Sequence, residues 1–348
     1  MKRRDLLVEL ALALGGAPAL TLLRGLNPGE EERLVQIVRG QGRVETETVT
    51  MIEKLTAKCR RLDDAHGPAK VLPVVTAQSD MVARLLKTES LTPTIRNRLT
   101  HVYAQLAQLS GFLHYDRMQH AEADRWFNDA LDAALGTGDP ALIAYIHNWQ
   151  SEMAAFMGRS AQALDHAIAA QGWARRTNSN LTKAHAEISE AWALARNGRP
   201  AESLRRLDLS MTTAGSPTST EPSYLYWISE SQALESTVYW IQGILGRTQD
   251  VIQRFSTEPE YDARAYSRQN AFEVIHYGTA LIQIKEIPQA TAKLSEAAIL
   301  THKHSSARLG YLLGQARLRL EPWSGNSYVR DLDEKLVAAG VRWGRATA

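Results

Sequence analysis

Gly158-Arg159-Ser160-Ala161-Gln162-Ala163-Leu164 recurs forty residues later as Gly198-Arg199-Pro200-Ala201-Glu202-Ser203-Leu204. A third and more degraded copy covers residues 246–252 and opens on Gly246-Arg247. On the same frame, residues 118–124 precede the first copy by forty positions, and residues 285–291 follow the third by thirty-nine. A fixed period of about 20–50 residues is typical of helical repeat arrays. The recurrence therefore predicts stacked helical hairpins.

Each unit also follows the spacing of a tetratricopeptide repeat: a small residue, a second one twelve positions later, then a bulky and a small residue four and seven positions further on. The matching sets are Gly111, Ala123, Phe127, Ala130; Ser151, Ala163, Ala167, Ala170; Ala191, Ser203, Leu207, Ser210; and Gly278, Ala290, Leu294, Ala297. Small side chains let paired helices approach closely, and the bulky one fills the remaining gap. The fourth unit departs from the pattern, with Tyr239 and Val251 at small positions. We therefore predict an all-α, right-handed solenoid of tetratricopeptide-like hairpins.

Breakers of helical periodicity suggest how the chain is divided. The predicted parts are N-terminal helices in residues 1–90, repeats 1–3 in 91–214, a loop or hinge in 215–225, repeats 4–5 in 226–322, and a capping helix and tail in 323–348. The proline-rich segment from Pro217 to Pro222 is the candidate flexing element.

Composition excludes several classes of protein. The 348 residues carry 40 basic and 38 acidic side chains, which is not the strongly basic balance of a chain that binds nucleic acid through phosphates. The single cysteine, Cys59, allows no intramolecular disulfide, and its place on an apolar helix stripe predicts a buried thiol. The sequence contains no long apolar stretch without charged residues, so we expect neither a membrane span nor a membrane partner.

The N-terminus allows two interpretations. Arg3-Arg4 followed by an apolar stretch resembles an export signal, whereas an amphipathic first helix is the alternative. A carboxylate in the apolar region, Glu9, disfavours export, so a cytoplasmic location is expected.

Several segments together resemble one known family. They are Arg3-Arg4-Asp5-Leu6-Leu7, Cys59-Arg60-Arg61-Leu62-Asp63-Asp64, Gly138-Asp139-Pro140-Ala141-Leu142, Ser305-Ser306-Ala307-Arg308, and Leu318-Arg319-Leu320-Glu321-Pro322-Trp323. The chain is similar to the tetratricopeptide-type C-terminal sensor region of actinobacterial lambda-repressor-like helix-turn-helix regulators. That resemblance implies a regulatory protein of transcription. Such regulators begin with a small DNA-binding domain, and none precedes Met1, so the chain resembles the sensor region alone.

In a tetratricopeptide array, the first helix of each pair lines a concave groove. The groove-facing residues expected from the repeat frame are Gln105, Gln108, Phe112, Tyr115, Tyr145, Asn148, Glu152, Phe156, His185, Ile188, Trp192 and Arg196. Mixed aromatic and amide surfaces suit an extended peptide, and Asn148 is the best single candidate because an amide both donates to and accepts from a peptide bond. These residues could instead contact another part of the array. The aromatic clusters Trp126-Phe127, Tyr224-Tyr226-Trp227 and Tyr239-Trp240 could form a ligand box, although packing between helices is the favoured prediction.

The sequence has no catalytic or metal-binding signature. A His-Glu-x-x-His motif, phosphate-binding loop and nucleophile turn are absent, so no metal and no cofactor is expected. Asp63-Asp64 beside Arg60-Arg61 predicts helix capping or a surface salt bridge.

We therefore expect a non-enzymatic binding and regulatory module that recognises a peptide, a protein or a small ligand in its concave groove. The alternatives are a dimeric scaffold for protein interactions without a small ligand and, less favoured, an enzyme on a helical-repeat fold.

Overall fold

A computed structural model of the chain describes residue 7 and residues 10–41, 43–230, 234–257 and 267–344. Within these residues every regular element is helical and none is a β-strand, which confirms the all-α prediction. The segment with Arg3-Arg4 lies outside the described residues. None of the helices in the described ranges is long and apolar enough to cross a membrane.

After a helical segment at residues 10–13, the α-helices are α1 (Ala19–Leu23), α2 (Pro28–Val38), α3 (Thr46–His66), α4 (Pro68–Leu86), α5 (Pro93–Asp116), α6 (His120–Thr137), α7 (Pro140–Phe156), α8 (Ser160–Ala174), α9 (Asn180–Arg196), α10 (Pro200–Ala214), α11 (Tyr226–Glu230), α12 (Leu234–Ile244), α13 (Thr248–Thr257), α14 (Ser267–Gln283), α15 (Ile287–His304), α16 (Ala307–Arg319) and α17 (Ser327–Ala338). Short 3-10 turns cover Ser223–Leu225 and Glu321–Trp323.

Local sequence determines where these helices begin. The Thr92 hydroxyl accepts a hydrogen bond from the Ile95 amide at 3.3 Å, and Pro93 occupies the first turn of α5. Asp139 accepts from the amides of Ala141 and Leu142 at the start of α7. Such caps satisfy amides that have no partner inside the helix, and proline is tolerated there because its missing donor is not needed.

The recurrent glycine of the repeat has a conformational cause. Gly158, Gly198 and Gly246 have φ values of 74°, 68° and 71°, in the left-handed region that glycine adopts without steric cost. Met118 and Lys285, which the repeat frame aligns with these glycines, have φ values of 60° and 66°. Five turns therefore share one backbone conformation although only three of them carry glycine.

The small residues of the repeat lie where neighbouring helices come closest. A Cβ on Gly111 would lie 2.6 Å from the ring of Phe127, which excludes a larger side chain without movement of the ring. In the next unit the Ser151 hydroxyl donates to the Ala163 carbonyl oxygen at 2.8 Å. Equivalent close pairs are Gly278 with Leu294 and Ser203 with Ala191.

The helices late in the chain return to those near its beginning. Helices α5 to α10 pack against one another in succession, whereas α14 and α15 contact α3, and α16 contacts α5. A Cβ on Gly67 would lie 2.1 Å from the carbonyl oxygen of His304, so these two backbones touch. The C-terminal helices thus close against the N-terminal ones.

The segment predicted as a loop or hinge carries no helix from residue 215 to 222 and is fastened to α9. The Glu221 carboxylate accepts from the amides of Asn180 at 3.0 Å and Leu181 at 3.2 Å, and also from the hydroxyl of Ser179. A carboxylate at a helix N-terminus is stabilised by the free amides and by the helix dipole. Glu221 therefore holds the chain in place immediately before Tyr224.

Candidate functional site

A cavity of about 110 Å³ lies where the early and the late helices meet. Its walls come from α3, α5 and α7 on one side, from α12, α14 and α16 on the other, and from the segment around Tyr224 to Trp227. The lining residues are Arg60, Asp63, Asp64, Gln108, Leu109, Phe112, Tyr145, Trp149, Glu152, Tyr224, Tyr226, Trp227, Thr237, Trp240, Arg268, Gln269, Phe272, His276 and Arg308.

Two arginines of the late helices bind carboxylates of the early ones. Arg268 Nη1 lies 2.6 Å from Asp63 Oδ2 and 3.7 Å from Asp116 Oδ2. Arg308 Nε donates to Asp116 Oδ1 at 3.0 Å, and its Nη1 donates to Glu152 Oε1 at 3.2 Å. Asp116 is fully buried, so its charge is stabilised by these two guanidinium groups rather than by water.

Ser306 couples this ion-pair network to the start of a helix. Its hydroxyl oxygen accepts from the Leu309 amide at 3.2 Å, which caps α16, and the same hydroxyl donates to Asp116 at 2.9 Å. The cap therefore fixes the first turn of α16, from which Arg308 projects, against the end of α5.

Burial raises the pKa of the acids in this network. Desolvation raises the pKa of Asp63 to about 7, although Arg268 opposes the shift. Desolvation likewise raises the pKa of Glu152 to about 7 against the stabilising charge of Arg308. The pKa of Asp64 is also raised by burial, while Arg268 and a hydrogen bond from Tyr226 lower it. Desolvation is therefore the dominant cause for all three acids, and the neighbouring arginines offset it only in part.

A third arginine, Arg60, contacts the aromatic wall of the cavity. Arg60 Nη1 donates to Gln108 Oε1 at 2.9 Å, and its Nη2 donates to the Gln105 carbonyl oxygen at 3.2 Å. Its guanidinium carbon lies 5.7 Å and 5.8 Å from the ring centroids of Tyr145 and Tyr224. These two rings are themselves 4.8 Å apart, so Tyr224 is held against α7.

Two further depressions, of about 330 and 480 Å³, adjoin the cavity at Tyr224. Both are lined by His101 and Gln105, and one of them also by Arg60, Arg61 and Tyr226. The central cavity shares Tyr224 with both depressions, and it also shares Arg60 and Tyr226 with the larger one.

The residues expected to face the groove fall into three groups. Those that line the central cavity are Gln108, Phe112, Tyr145 and Glu152, and Gln105 lines both adjoining depressions. Buried residues outside these lining sets are Tyr115, Asn148, His185, Ile188 and Trp192. Phe156 is half-buried against Tyr115 and Trp240, and Arg196 is exposed. The expected groove face is therefore divided between a cavity and helix packing.

Asn148 is fully buried, and neither its amide nitrogen nor its amide oxygen has a hydrogen-bond partner among the described residues. Buried polar groups in proteins are usually paired with protein groups or with ordered water. Asn148 lies one turn before Glu152 on α7 but is not among the residues that line the cavity.

One sequence-based expectation needs correction. Asp63 is not a surface or capping residue: it is buried, and its partner is Arg268 instead of the adjacent arginines. The aromatic residues Tyr224, Tyr226, Trp227 and Trp240 do pack between helices, but they also form part of the cavity wall. Arg268 and Arg308 were not recognised as site residues, because each meets its partners only through the fold. In contrast, Cys59 is buried as predicted, and burial raises its pKa to about 12.

No protein-family model matches the chain, and a comparison with curated proteins finds no match.

Proposed function

We propose that the chain is a non-enzymatic, tetratricopeptide-like binding module that takes a small ligand in the central cavity. The observation that supports this most is the composition of the cavity wall, in which aromatic rings surround a few fixed polar groups such as Glu152 and Gln108. Ligand sites in proteins commonly combine an apolar lining with a small number of well-placed polar side chains.

A small ligand fits this cavity better than an extended peptide does. Tyr224 and Trp227 lie against Tyr145, Trp149 and His185, with ring centroids 4.8 to 6.0 Å apart. This segment therefore covers the part of α7 and α9 on which a peptide would lie. The adjoining depressions would receive only the remainder of a longer ligand.

The position of the cavity suggests how ligand binding would change the arrangement of the helices. A ligand there contacts early helices through Glu152 and late helices through Phe272, so it favours the arrangement in which these helices are closed. A ligand shifts such an equilibrium only by its difference in affinity for the two states. We propose this closure as the signal of a regulatory sensor of the kind the sequence resembles, acting in the cytoplasm.

Native mass spectrometry of the purified chain, followed by titration calorimetry with the retained compound, tests this function. Tyr145→Ala removes a ring from the cavity wall and is expected to weaken binding about tenfold or more, by loss of buried aromatic area. Tyr328→Ala, at a ring that is 51% exposed on α17, is the matched control and should not change affinity. Equal affinity of both variants and the wild type would contradict ligand binding in the central cavity.

A further inference from the structure

We infer that the ligand is a small acid whose oxyanion group, a carboxylate or a phosphate, binds in the larger of the two adjoining depressions. This inference rests on the proposed function and deepens it, because it assigns the chemical class of the part of the ligand that reaches beyond the central cavity. Among the residues that line this depression of about 480 Å³, Lys58, Arg60 and Arg61 carry positive charge, and Glu53 is the one acid.

Arg60 is a buried cation whose hydrogen bonds go to uncharged groups. Only 6% of the residue is exposed. Its two terminal nitrogens donate to the Gln108 side chain and to the Gln105 carbonyl oxygen, and its Nε atom has no hydrogen-bond partner among the described residues. No carboxylate oxygen in the described part of the chain lies within 4 Å of this guanidinium group. A buried charge is costly unless a counter-ion neutralises it, and an anionic ligand would supply that counter-ion.

Lys58 brings a second cation to the depression from the same helix, α3. Its Nζ atom donates to the Leu22 carbonyl oxygen at 3.4 Å, which is a long hydrogen bond to a neutral acceptor. Here too, the residues that the structure describes place no carboxylate oxygen within 4 Å. Arg61 adds a further positive charge, with its guanidinium carbon 3.7 Å from the ring centroid of Tyr226. An oxyanion in the depression would therefore have three cationic side chains around it.

The acids in or beside the depression are bound by other basic residues. Asp64 lines the central cavity and not the depression, and its carboxylate also accepts a hydrogen bond from Tyr226. The pairs are Glu53 with Arg98 at 2.7 Å, Glu30 with Lys54 at 3.0 Å, Asp139 with His101 at 2.8 Å, and Asp64 with Arg268 at 3.6 Å. These acids therefore do not take the place of a counter-ion for Arg60 and Lys58.

The apolar part of such a ligand has aromatic rings to pack against. Tyr224 and Tyr226 line both the depression and the central cavity, and so does Arg60. A guanidinium group presents several N–H donors in one plane, which suits the oxygens of a carboxylate or a phosphate. An acid that carries a ring would thus bind Arg60 through its oxyanion and place its ring against the tyrosines, next to the central cavity.

Four small compounds that share a phenyl ring separate the effect of charge from that of shape. They are the anions benzoate and phenyl phosphate, the neutral benzamide and the cation benzamidinium. The wild-type chain is titrated with each at pH 8, and binding is measured by calorimetry or by saturation-transfer NMR. We expect one of the anions to bind at least about tenfold more tightly than benzamide, as charge-assisted hydrogen bonds predict, and benzamidinium to bind most weakly. The anion that binds more tightly identifies the oxyanion group.

Substitutions test the assignment to the two cations. Arg60→Gln should remove most of the preference for the anion over benzamide, and Lys58→Gln should reduce it about threefold, because this lysine is less buried. Arg330→Gln, at an exposed arginine of α17, is the control and should retain the full preference. The half-buried Lys58 gives an answer even if Arg60→Gln does not fold.

Three outcomes would overturn the inference. They are binding of benzamide or benzamidinium as tight as that of both anions, failure of all four compounds to bind, and a preference for the anion that both Arg60→Gln and Lys58→Gln leave unchanged. If native mass spectrometry then finds a neutral or cationic compound whose binding Tyr145→Ala weakens, the proposed function stands without this inference.

Discussion

Arg308 and Asp116 are 192 residues apart in the sequence, yet the Nε atom of the arginine donates to Oδ1 of the aspartate at 3.0 Å. Both side chains are almost entirely removed from solvent, with exposures of 5% and 0%. The contact joins the start of α16 to the end of α5 and so holds a late helix against an early one. It also fixes the position of a cavity-lining acid, because Nη1 of Arg308 donates to Glu152.

Arg308→Ala is expected to lower the free energy of unfolding by about 3–5 kcal/mol, since it leaves the buried charge of Asp116 without a partner. Urea denaturation followed by circular dichroism measures the change. Arg330→Ala, at an exposed arginine of α17, should stay within about 0.5 kcal/mol of the wild type. A loss of less than about 1 kcal/mol for Arg308→Ala would mean that the ion pair does not hold the helices together.

The raised pKa of Asp63 predicts an unusual dependence of stability on pH. With a pKa of about 7 in the folded chain, Asp63 keeps a proton that the unfolded chain, with an ordinary pKa of about 4, has already lost. The stability contributed by this proton is complete below the unfolded pKa and is lost as the pH rises through about 7. The wild type should therefore lose up to about 2 kcal/mol relative to Asp63→Asn between pH 5 and pH 7.

The comparison between variants is needed because other groups titrate in the same range. Arg268, Asp64 and Asp116 face Asp63, and their charges are common to the wild type and the variant. Burial lowers the pKa of His185 and of His276 to about 3, which destabilises the fold below pH 6.5 with the opposite sign. Asp331→Asn, at an exposed acid, is the control. Parallel stability curves for the wild type and Asp63→Asn would show that Asp63 is ionised throughout.

The shared conformation of the turns predicts opposite effects for two substitutions. Met118→Gly relieves a left-handed conformation and should stabilise the chain by about 0.5–1 kcal/mol, whereas Gly198→Ala imposes one and should cost about 1 kcal/mol. Gly172→Ala is the control, because this glycine is helical and a Cβ there meets no atom within 4 Å. It should stabilise the helix by up to about 1 kcal/mol. The same sign for Gly198→Ala and Gly172→Ala would contradict the conformational explanation.

Glu221→Ala is expected to release the segment that covers the cavity. The substitution removes the acceptor of the Asn180 and Leu181 amides, which should cost about 1–2 kcal/mol and increase hydrogen exchange at both amides. Hydrogen exchange with mass spectrometry measures the effect, and Glu202→Ala serves as a surface control. Unchanged protection at the start of α9 would show that other contacts hold the segment.

The helices could be predicted from the sequence because their signals are local. A capping threonine before Pro93, a glycine in a left-handed turn and small residues at fixed spacing each act over fewer than twenty positions. The all-α class follows from such signals alone. The structure adds the turn conformation of Met118 and Lys285, which no residue preference indicates.

The ion pairs of the candidate site could not be predicted in this way. Asp63 stands beside Asp64 and close to Arg60-Arg61, so local reasoning assigned it to a surface salt bridge. Its actual partner, Arg268, lies about two hundred residues further on, and only the return of α14 to α3 brings the two together. Gln108, Phe112, Tyr145 and Glu152, which the repeat frame predicts to face a groove, line the central cavity.

The most direct test of the proposed ligand site is a crystal structure of the chain grown with the compound that native mass spectrometry detects. We predict electron density in the central cavity, in contact with Trp149 and Glu152 and enclosed by Tyr224. Density for the compound on another surface, together with a central cavity filled by the chain's own side chains, would contradict the proposal.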